Sequence, residues 1–157
     1  MDASHPWCLI AEDDALLGFA LEDDLEEAGI GVVGPLASCA EALAWIEHTT
    51  PALAILDYKL RDGCCTELAG ALLQRGVPVI IYSGWPPGSD MPPELRHVLW
   101  LEKPLDRNAL VAAVGCVAPS LLPTASGGLS DDGPPADHHA EAAFRLGRSL
   151  HLRRENQ

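Results

Sequence analysis

The chain has 157 residues, of which 48% are hydrophobic and 21% are charged, and its formal net charge at pH 7 is −13. This length and composition predict one domain with a real core, or one domain followed by a tail. The negative charge argues against a nucleic-acid partner, because binding through phosphates needs a basic face. No apolar run reaches the roughly 20 residues of a membrane span, and no signal peptide precedes the first one.

Cysteine usage indicates the compartment. The five cysteines are Cys8, Cys39, Cys64, Cys65 and Cys116. Their number is odd and no Cys-x-x-Cys pair occurs, so we interpret them as reduced, mostly buried thiols of a cytoplasmic protein that does not associate with membranes. Cys64 and Cys65 are adjacent and lack the ligand spacing of a zinc site.

Residues 1–117 alternate short apolar runs, typical of buried strands, with longer runs of period near 3.6, typical of helices. In chain order the predicted elements are strand Trp7–Ala11, helix Ala15–Ala28, strand Gly31–Gly34, a helix from Ser38 to about His48, strand Ala52–Leu56, helix Thr66–Arg75, strand Val77–Tyr82, strand His97–Leu101 and a helix from Asp106 to about Val117. Four prolines in the loop after the fourth strand leave little room for a fourth helix.

Five strand–helix units predict an α/β fold with a parallel sheet covered on both faces. We predict a flavodoxin-like, doubly wound (βα)5 fold whose five strands have the order 2-1-3-4-5. Residues 1–117 form the predicted domain, 118–135 a Pro/Gly/Ser-rich linker, and 136–157 a short helical tail. The predicted domain carries 18 acidic and six basic residues, whereas the tail carries four arginines and three acids.

Polar residues stand where four of the predicted strands end. They are Glu12-Asp13-Asp14, Asp57, Ser83 and Lys103. The carboxyl ends of parallel strands form one edge of a sheet, so we expect one shared cleft. Close carboxylates repel and need a cation, and Mg²⁺ suits such oxygen ligands. In phosphoryl transfer to a carboxylate, Asp57 would be the nucleophile, with Lys103 and Ser83 on phosphoryl oxygens.

Four stretches resemble the motifs of response-regulator receiver domains, over residues 7–117. These stretches are Leu9–Asp14, Leu53–Asp57, Ile80–Gly84 and Leu101–Leu105. The resemblance implies that Asp57 accepts phosphate and that Ser83 and Lys103 serve the same reaction. It also implies a Mg²⁺ site built from Glu12, Asp13, Asp57 and the backbone carbonyl of Lys59, a cis bond between Lys103 and Pro104, and a switch formed by Ser83 and Trp100.

The sequence departs from the receiver pattern at several positions. Arg61 and Cys65 replace a frequent proline and glycine, Trp100 is larger than the usual switch aromatic, and the loop Trp85–Gly88 is atypical. The loop is similar to that of a subgroup of stand-alone receivers.

The resemblance implies a stand-alone response regulator rather than an enzyme. Its partners would be a histidine kinase or histidine phosphotransfer protein and a downstream protein target, and a homodimer through the fourth and fifth units stays open. The alternatives are a degenerate receiver that never accepts phosphate, and the N-terminal part of a longer regulator. A haloacid-dehalogenase-type phosphatase is rejected because its nucleophile follows the first strand, and a nucleotide-binding module because the first strand lacks a glycine-rich loop.

Overall fold

The structure is a computed structural model, and it describes residues 6–123. Its main elements are β1 (Trp7–Ala11), α1 (Ala15–Glu27), β2 (Gly31–Leu36), α2 (Cys39–Ile46), β3 (Leu53–Leu56), α3 (Thr66–Gln74), β4 (Val79–Ser83), β5 (Leu99–Glu102) and α4 (Arg107–Val117). A short antiparallel hairpin, Lys59–Leu60 with Gly63–Cys64, follows β3. Two 3-10 turns lie at Pro93–Leu95 and Pro119–Leu121.

All five strands of the main sheet run parallel. β1 lies inside the sheet and pairs with β2 on one side and β3 on the other, the central strand β3 pairs with β4, and β4 pairs with β5. The order is therefore β2-β1-β3-β4-β5, which confirms the predicted doubly wound fold. This order places the ends of β1 and β3 side by side, at the point where the sheet reverses its direction of growth.

Two apolar layers cover the sheet, because successive strand side chains point to opposite faces. One layer packs against α2 and α3 and contains Leu9, Ala11, Ala54, Leu56 and Ile81. The other packs against α1 and α4 and contains Cys8, Ile10, Leu53, Ile55 and Ile80. Burial on both faces explains why β1, β3 and β4 read as continuous apolar runs.

The connection between β4 and β5 contains a 3-10 turn and no α-helix, so the helix that would follow the fourth strand, for which the prolines leave little room, is missing. Pro92 and Pro93 start this turn; prolines lack an N–H donor and suit a helix start better than its interior. Leu95, in the same turn, is buried against the layer of α2 and α3. The segment thus covers the sheet with one anchored side chain in place of the helix for which the prolines leave little room.

Two predicted strands end too early. β4 ends at Ser83 and β5 at Glu102, and these two polar residues pair with each other in the ladder. Backbone pairing ignores side-chain polarity, so a polar residue at the end of an apolar run can still belong to the strand. β2 is also longer than predicted and runs through Pro35 to Leu36, which an edge strand tolerates.

Side chains cap three of the helices at their predicted starts. The Asp14 carboxylate accepts hydrogen bonds from the backbone N–H groups of Leu16 and Leu17. The Ser38 hydroxyl accepts from Glu41 N–H at 3.1 Å, and Asp106 accepts from Ala109 N–H at 2.9 Å. Each cap satisfies backbone donors that the helix leaves unpaired, and Asp14 thereby fixes the turn that follows Glu12 and Asp13.

The described chain ends in a segment packed on the sheet layer of α1 and α4. Ala118 and Leu121 are buried there, and Pro123 lies against Gly29. The rest of the predicted linker and the whole predicted tail, 136–157, lie outside the described residues, so the domain limits stay predictions. Within residues 6–123, no helix is long and apolar enough to cross a membrane.

None of the five cysteines, all of which lie within residues 6–123, forms a disulfide. Cys8, Cys39 and Cys65 are buried, and Cys64 and Cys116 are exposed. Burial raises the pKa of Cys8 to about 12, because a thiolate would lose its hydration in the apolar layer. Three of the five thiols thus behave as small core residues, as expected for reduced cysteines.

Gly18 allows α1 to approach β2 closely. A Cβ built on Gly18 would lie 2.6 Å from Pro35 Cβ and 2.7 Å from Pro35 Cγ. The Pro35 ring is rigid, so the helix or the strand would have to move. Gly70 is also inside a helix, α3, but a Cβ there would meet nothing within 4 Å.

We therefore expect opposite effects from the same substitution. Gly18→Ala should lower the free energy of unfolding by about 1–2 kcal/mol, since overpacking costs about 1–3 kcal/mol and helix propensity returns up to about 1. Gly70→Ala should raise it by about 0.5–1 kcal/mol. Urea unfolding of both variants measures this, and equal effects at the two positions would show that Pro35 does not constrain the helix.

Candidate functional site

Backbone hydrogen bonds hold the polar strand ends at one edge of the sheet. Asp57 N–H donates to the carbonyl of Ala11 at 2.8 Å, which places Asp57 beside the end of β1. Lys103 N–H donates to the carbonyl of Ser83 at 2.9 Å, which joins the ends of β4 and β5. Because parallel strands end together, residues from four distant parts of the sequence share one cleft.

Three carboxylates form an acidic cluster in this cleft. Glu12, Asp13 and Asp57 each offer an oxygen, and these oxygens all lie within 4.8 Å of one another. Glu12 is buried, Asp57 is half-buried and Asp13 is exposed, so the cluster opens to solvent on the side of Asp13. Carboxylate oxygens at such spacing are the donor set that a hard divalent cation prefers, and the cluster therefore fits Mg²⁺.

Lys103 supplies positive charge between two of the carboxylates. Its ammonium donates to Asp57 Oδ2 at 3.1 Å and to Glu12 Oε2, and forms ion pairs with both. It also lies 5.5 Å from the centroid of the Tyr82 ring, within the range of a cation–π contact. Lys103 thus connects the end of β5 to the ends of β1 and β3.

Burial and charge pairing oppose each other at Glu12. Burial raises the pKa of Glu12, and the hydrogen bonds from Lys103 and from Asp14 N–H counteract that rise without cancelling it. At Lys103, burial disfavours the charge, but hydrogen bonds to Glu12 and Asp57 outweigh it and raise the pKa of the ammonium. The lysine therefore stays charged at neutral pH, and the stability of the cleft depends on it.

Ser83 faces a chain of contacts that leads to the exposed loop. Its buried hydroxyl accepts a hydrogen bond from Trp85 N–H at 3.2 Å. The Trp85 carbonyl in turn accepts from the indole N–H of Trp100 at 3.1 Å. The Trp100 ring lies against Tyr58, with 5.3 Å between ring centroids, and Tyr58 directly follows Asp57. Ser83 and Trp100 are thereby linked through one residue of the loop.

The hairpin after Asp57 is anchored to α2. Lys59 N–H, at its start, donates to Asp57 Oδ1 at 3.4 Å. Asp62, at its tip, accepts from the N–H groups of Cys39 and Ala40 at 2.8 and 3.0 Å, and these bonds lower the pKa of Asp62. Lys59, whose carbonyl is a predicted Mg²⁺ ligand, is thus held next to the acidic cluster by its bond to the Asp57 carboxylate and by the anchored hairpin.

The chain is similar to several solved structures. No family model matches the sequence, and no curated protein matches it. Among solved structures, SdrG from Sphingomonas melonis Fr1 is 33% identical over 69% of this chain and 92% of SdrG, with a TM-score of 0.59. A BeF3-activated conformation of SdrG from Pseudomonas melonis Fr1 is 34% identical over 72% of this chain and 96% of that chain, with the same TM-score. A CheY-like response regulator receiver domain protein from Methanospirillum hungatei JF-1 is 27% identical over 71% and 91%, with a TM-score of 0.59.

This chain belongs to the response-regulator receiver domains. The resemblance seen in the sequence motifs is thereby confirmed, as is a place in two-component signalling. Receivers are signalling domains rather than catalytic ones. The roles of the individual site residues stay predictions, although the receiver fold brings Glu12, Asp13, Asp57 and Lys103 together.

Other features of this receiver site show only in the structure. Tyr82 faces Lys103 with its ring, and its hydroxyl accepts a hydrogen bond from Leu105 N–H at 3.2 Å. Tyr58 supports Trp100. The sequence signal for both was slight, a tyrosine beside a strand end. Two peptide bonds of the receiver are cis, the predicted Lys103–Pro104 and also Gly34–Pro35.

Removing the Lys103 charge should destabilise the receiver in a pH-dependent manner. Lys103→Met leaves the buried Glu12 carboxylate without its cation, and breaking such a pair costs on the order of 3 kcal/mol. Without the ammonium, the pKa of Glu12 in the folded state rises further above its ordinary value of 4.5. A group with a raised folded pKa favours the fold at low pH and loses that contribution as pH rises through the folded pKa.

The loss of stability in Lys103→Met should therefore be larger at about pH 8 than at about pH 5. Lys59→Met is the matched control, because Lys59 is exposed and its side chain forms no ion pair within residues 6–123. Denaturant unfolding at the two pH values measures both variants. Equal losses at the two pH values would contradict the proposed compensation of Glu12 by Lys103.

Proposed function

We propose that this receiver accepts a phosphoryl group on Asp57 from a histidine kinase or a histidine phosphotransfer protein, in a Mg²⁺-dependent reaction, and signals through protein–protein contacts. The observation that carries this proposal is the position of Asp57, whose carboxylate lies in the acidic cluster and within 3.1 Å of the Lys103 ammonium. The likeness to SdrG, of which a BeF3-activated conformation is known, supports it further.

The chemistry assigns a role to each side chain of the cleft. A carboxylate oxygen of Asp57 forms a bond to phosphorus while the bond between phosphorus and the donor histidine nitrogen breaks, and the imidazole leaves. The Lys103 ammonium would then bind an oxygen of the phosphoryl group. The Ser83 hydroxyl would donate to another. A nucleophile flanked by a cation is suited to receive a group that carries negative charge.

Mg²⁺ would be held by Glu12, Asp13, Asp57 and the backbone carbonyl of Lys59. When bound, the ion supplies positive charge that offsets the charge of the incoming phosphoryl group. The exposed position of Asp13 supports this assignment, because it leaves the cluster open for an ion that keeps some of its water.

The output of this receiver would be a change on the surface around β4 and β5. The Ser83 hydroxyl can donate to the phosphoryl group while it accepts from Trp85 N–H, so a movement of Ser83 toward that group would also move Trp85, whose carbonyl accepts from Trp100. Trp100 would therefore report phosphorylation to the surface. Downstream recognition by a protein in the cytoplasm fits the net charge of −13 better than recognition by nucleic acid.

The main alternative is a receiver that folds but never accepts phosphate. The joint presence of Asp57, Lys103 and the acidic pair favours the phosphorylated form, since a degenerate site has no need to gather three carboxylates around a lysine. A homodimer through the segment after β4 and through β5 is a further proposal. The function as part of a longer regulator remains the second alternative.

Phosphorylation is tested directly by intact-protein mass spectrometry after incubation with acetyl phosphate. We expect the wild type to gain one phosphoryl group when Mg²⁺ is present and to gain none in excess chelator. Asp57→Asn should gain none, because its amide cannot act as the nucleophile. Asp90→Asn, a similar change at an exposed site, should behave as the wild type.

The two acids after β1 provide a matched pair for the metal. Asp13→Asn removes a carboxylate of the cluster and should reduce the yield, whereas Asp14→Asn keeps an effective helix cap and should not. Modification of Asp57→Asn, or equal yields with and without Mg²⁺, would overturn the proposal. If acetyl phosphate fails with the wild type, transfer from a phosphorylated histidine kinase decides between a selective receiver and a degenerate one.

The switch is tested by tryptophan fluorescence during titration with BeF3 and Mg²⁺. We expect a change in the wild type that Trp100→Phe largely removes, because the Trp100 indole is hydrogen-bonded to the moving loop. Trp45→Phe, in α2, should retain the change. Ser83→Ala should bind BeF3 but show a smaller change, since Trp85 N–H no longer has the hydroxyl as acceptor. An unaltered change in Trp100→Phe would exclude Trp100 as the switch.

A further inference from the structure

The outward face of α1 combines exposed apolar residues with exposed acids. Leu16 is 79% exposed and Phe19 is 56% exposed, and Asp23 and Glu26 are exposed as well. Their spacing of three, seven and ten residues from Leu16 places all four on one side of the helix. We call these four residues the outer stripe of α1. It is apolar near the acidic cluster and negative toward the end of the helix.

The negative half of the outer stripe is poorly compensated. Glu22, Asp23, Asp24, Glu26 and Glu27 all lie in the last two turns of α1. The helix dipole makes that end negative, so acids there are unfavourable, and the last turn has no basic residue. Arg107 of α4 pairs with Asp24 and Glu27. Within the described residues, the side chains of Asp23 and Glu26 form no ion pair.

A complementary segment exists in the same chain. Residues 142–154 contain four arginines and no acidic residue, and the arginines alternate with leucines. The sequence predicts Leu146 and Leu150 on one side of a short helix. This segment therefore has positive charge to pair with the acids of the outer stripe and leucines to cover its exposed apolar residues.

The chain leaves the described domain at the right place for such a contact. Pro123 lies against Gly29, two residues after the end of α1. The 22 residues from Pro123 to Arg145 span about 25 Å on average if flexible, and α1, with 13 residues, is about 20 Å long. Because the average span of this linker matches the length of α1, the effective concentration of the segment at the helix is in the millimolar range, and even weak contacts would form.

We propose that residues 142–154 bind back onto the outer stripe of α1, with arginines on its acids and leucines on its apolar residues. The contact stands independently of phosphorylation. It would place the leucines of this segment over the start of α1, close to Asp13 at the open side of the acidic cluster, since α1 begins directly after that cluster.

The full chain, labelled with ¹⁵N, tests this by comparing amide shifts. Between the wild type and Arg145→Glu/Arg148→Glu, we expect the largest shift changes at residues 16–27 of α1. Arg61→Glu/Arg96→Glu changes the net charge equally at exposed positions of the domain and should leave those residues unaffected. High salt should reproduce the effect of the tail variant, because the screening length falls from about 10 Å at 0.1 M to about 3 Å at 1 M.

Charge exchange provides the decisive arm. The variant that combines Arg145→Glu/Arg148→Glu with Asp23→Arg/Glu26→Arg should recover the wild-type salt effect, which is a difference in the amide shifts of Leu16 and Phe19 between low and high salt. Neither double variant alone should show this difference. Tenfold dilution should change nothing. Three results would overturn the proposal: α1 shifts equal in wild type and tail variant, a failure of charge exchange to restore them, or loss on dilution, which would assign the contact to a second copy.

Discussion

The charge balance around Lys103 is the constraint on which the rest of this receiver depends. Four strand ends meet at one edge of the sheet, and they bring carboxylates from β1 and β3 into a half-buried cleft. Uncompensated, such carboxylates would repel each other and lose their hydration. Lys103 reaches both Glu12 and Asp57 from the end of β5. The lysine therefore links β5, at the edge of the sheet, to the ends of β1 and β3, beyond the apolar layers that hold the strands together elsewhere.

The surrounding structure keeps this cleft in shape with local backbone contacts. Asp14 starts α1 directly behind the acidic pair, and Asp62 ties the hairpin after Asp57 to α2. Gly18 lets α1 lie close to β2, so that Glu12 is enclosed. These contacts are short-range and rigid, and they leave the carboxylates little freedom to relax away from each other. A site held in this way keeps its charge ready for a phosphoryl group and loses little energy in reorganising.

Much of this could be predicted because the sequence carries the information locally. A parallel sheet buried on both faces produces apolar runs, and the polar residues that end Trp7–Ala11 and Leu53–Leu56 stand out against them. The β4–β5 segment was harder to predict, because its prolines disfavour a helix but do not determine which other structure forms in its place. The contact between Trp100 and Trp85 depends on a backbone carbonyl, and a backbone group leaves no trace in the sequence. The ends of β4 and β5 were missed for the same reason, since ladder pairing does not depend on side-chain polarity.

The acidity of the chain has two different physical consequences, depending on where the acids lie. Glu12 is buried, so its charge must be matched inside the domain, and Lys103 is within contact distance to do so. Asp23 and Glu26 are exposed, and water screens them well enough for the fold to tolerate them without an ion pair among residues 6–123. Tolerated charge is still a source of long-range attraction for a basic segment. The same excess of acids that forces an internal lysine at the cleft thus leaves α1 open to a cation from outside the domain, and residues 142–154 are the part of this chain with the charge to provide it.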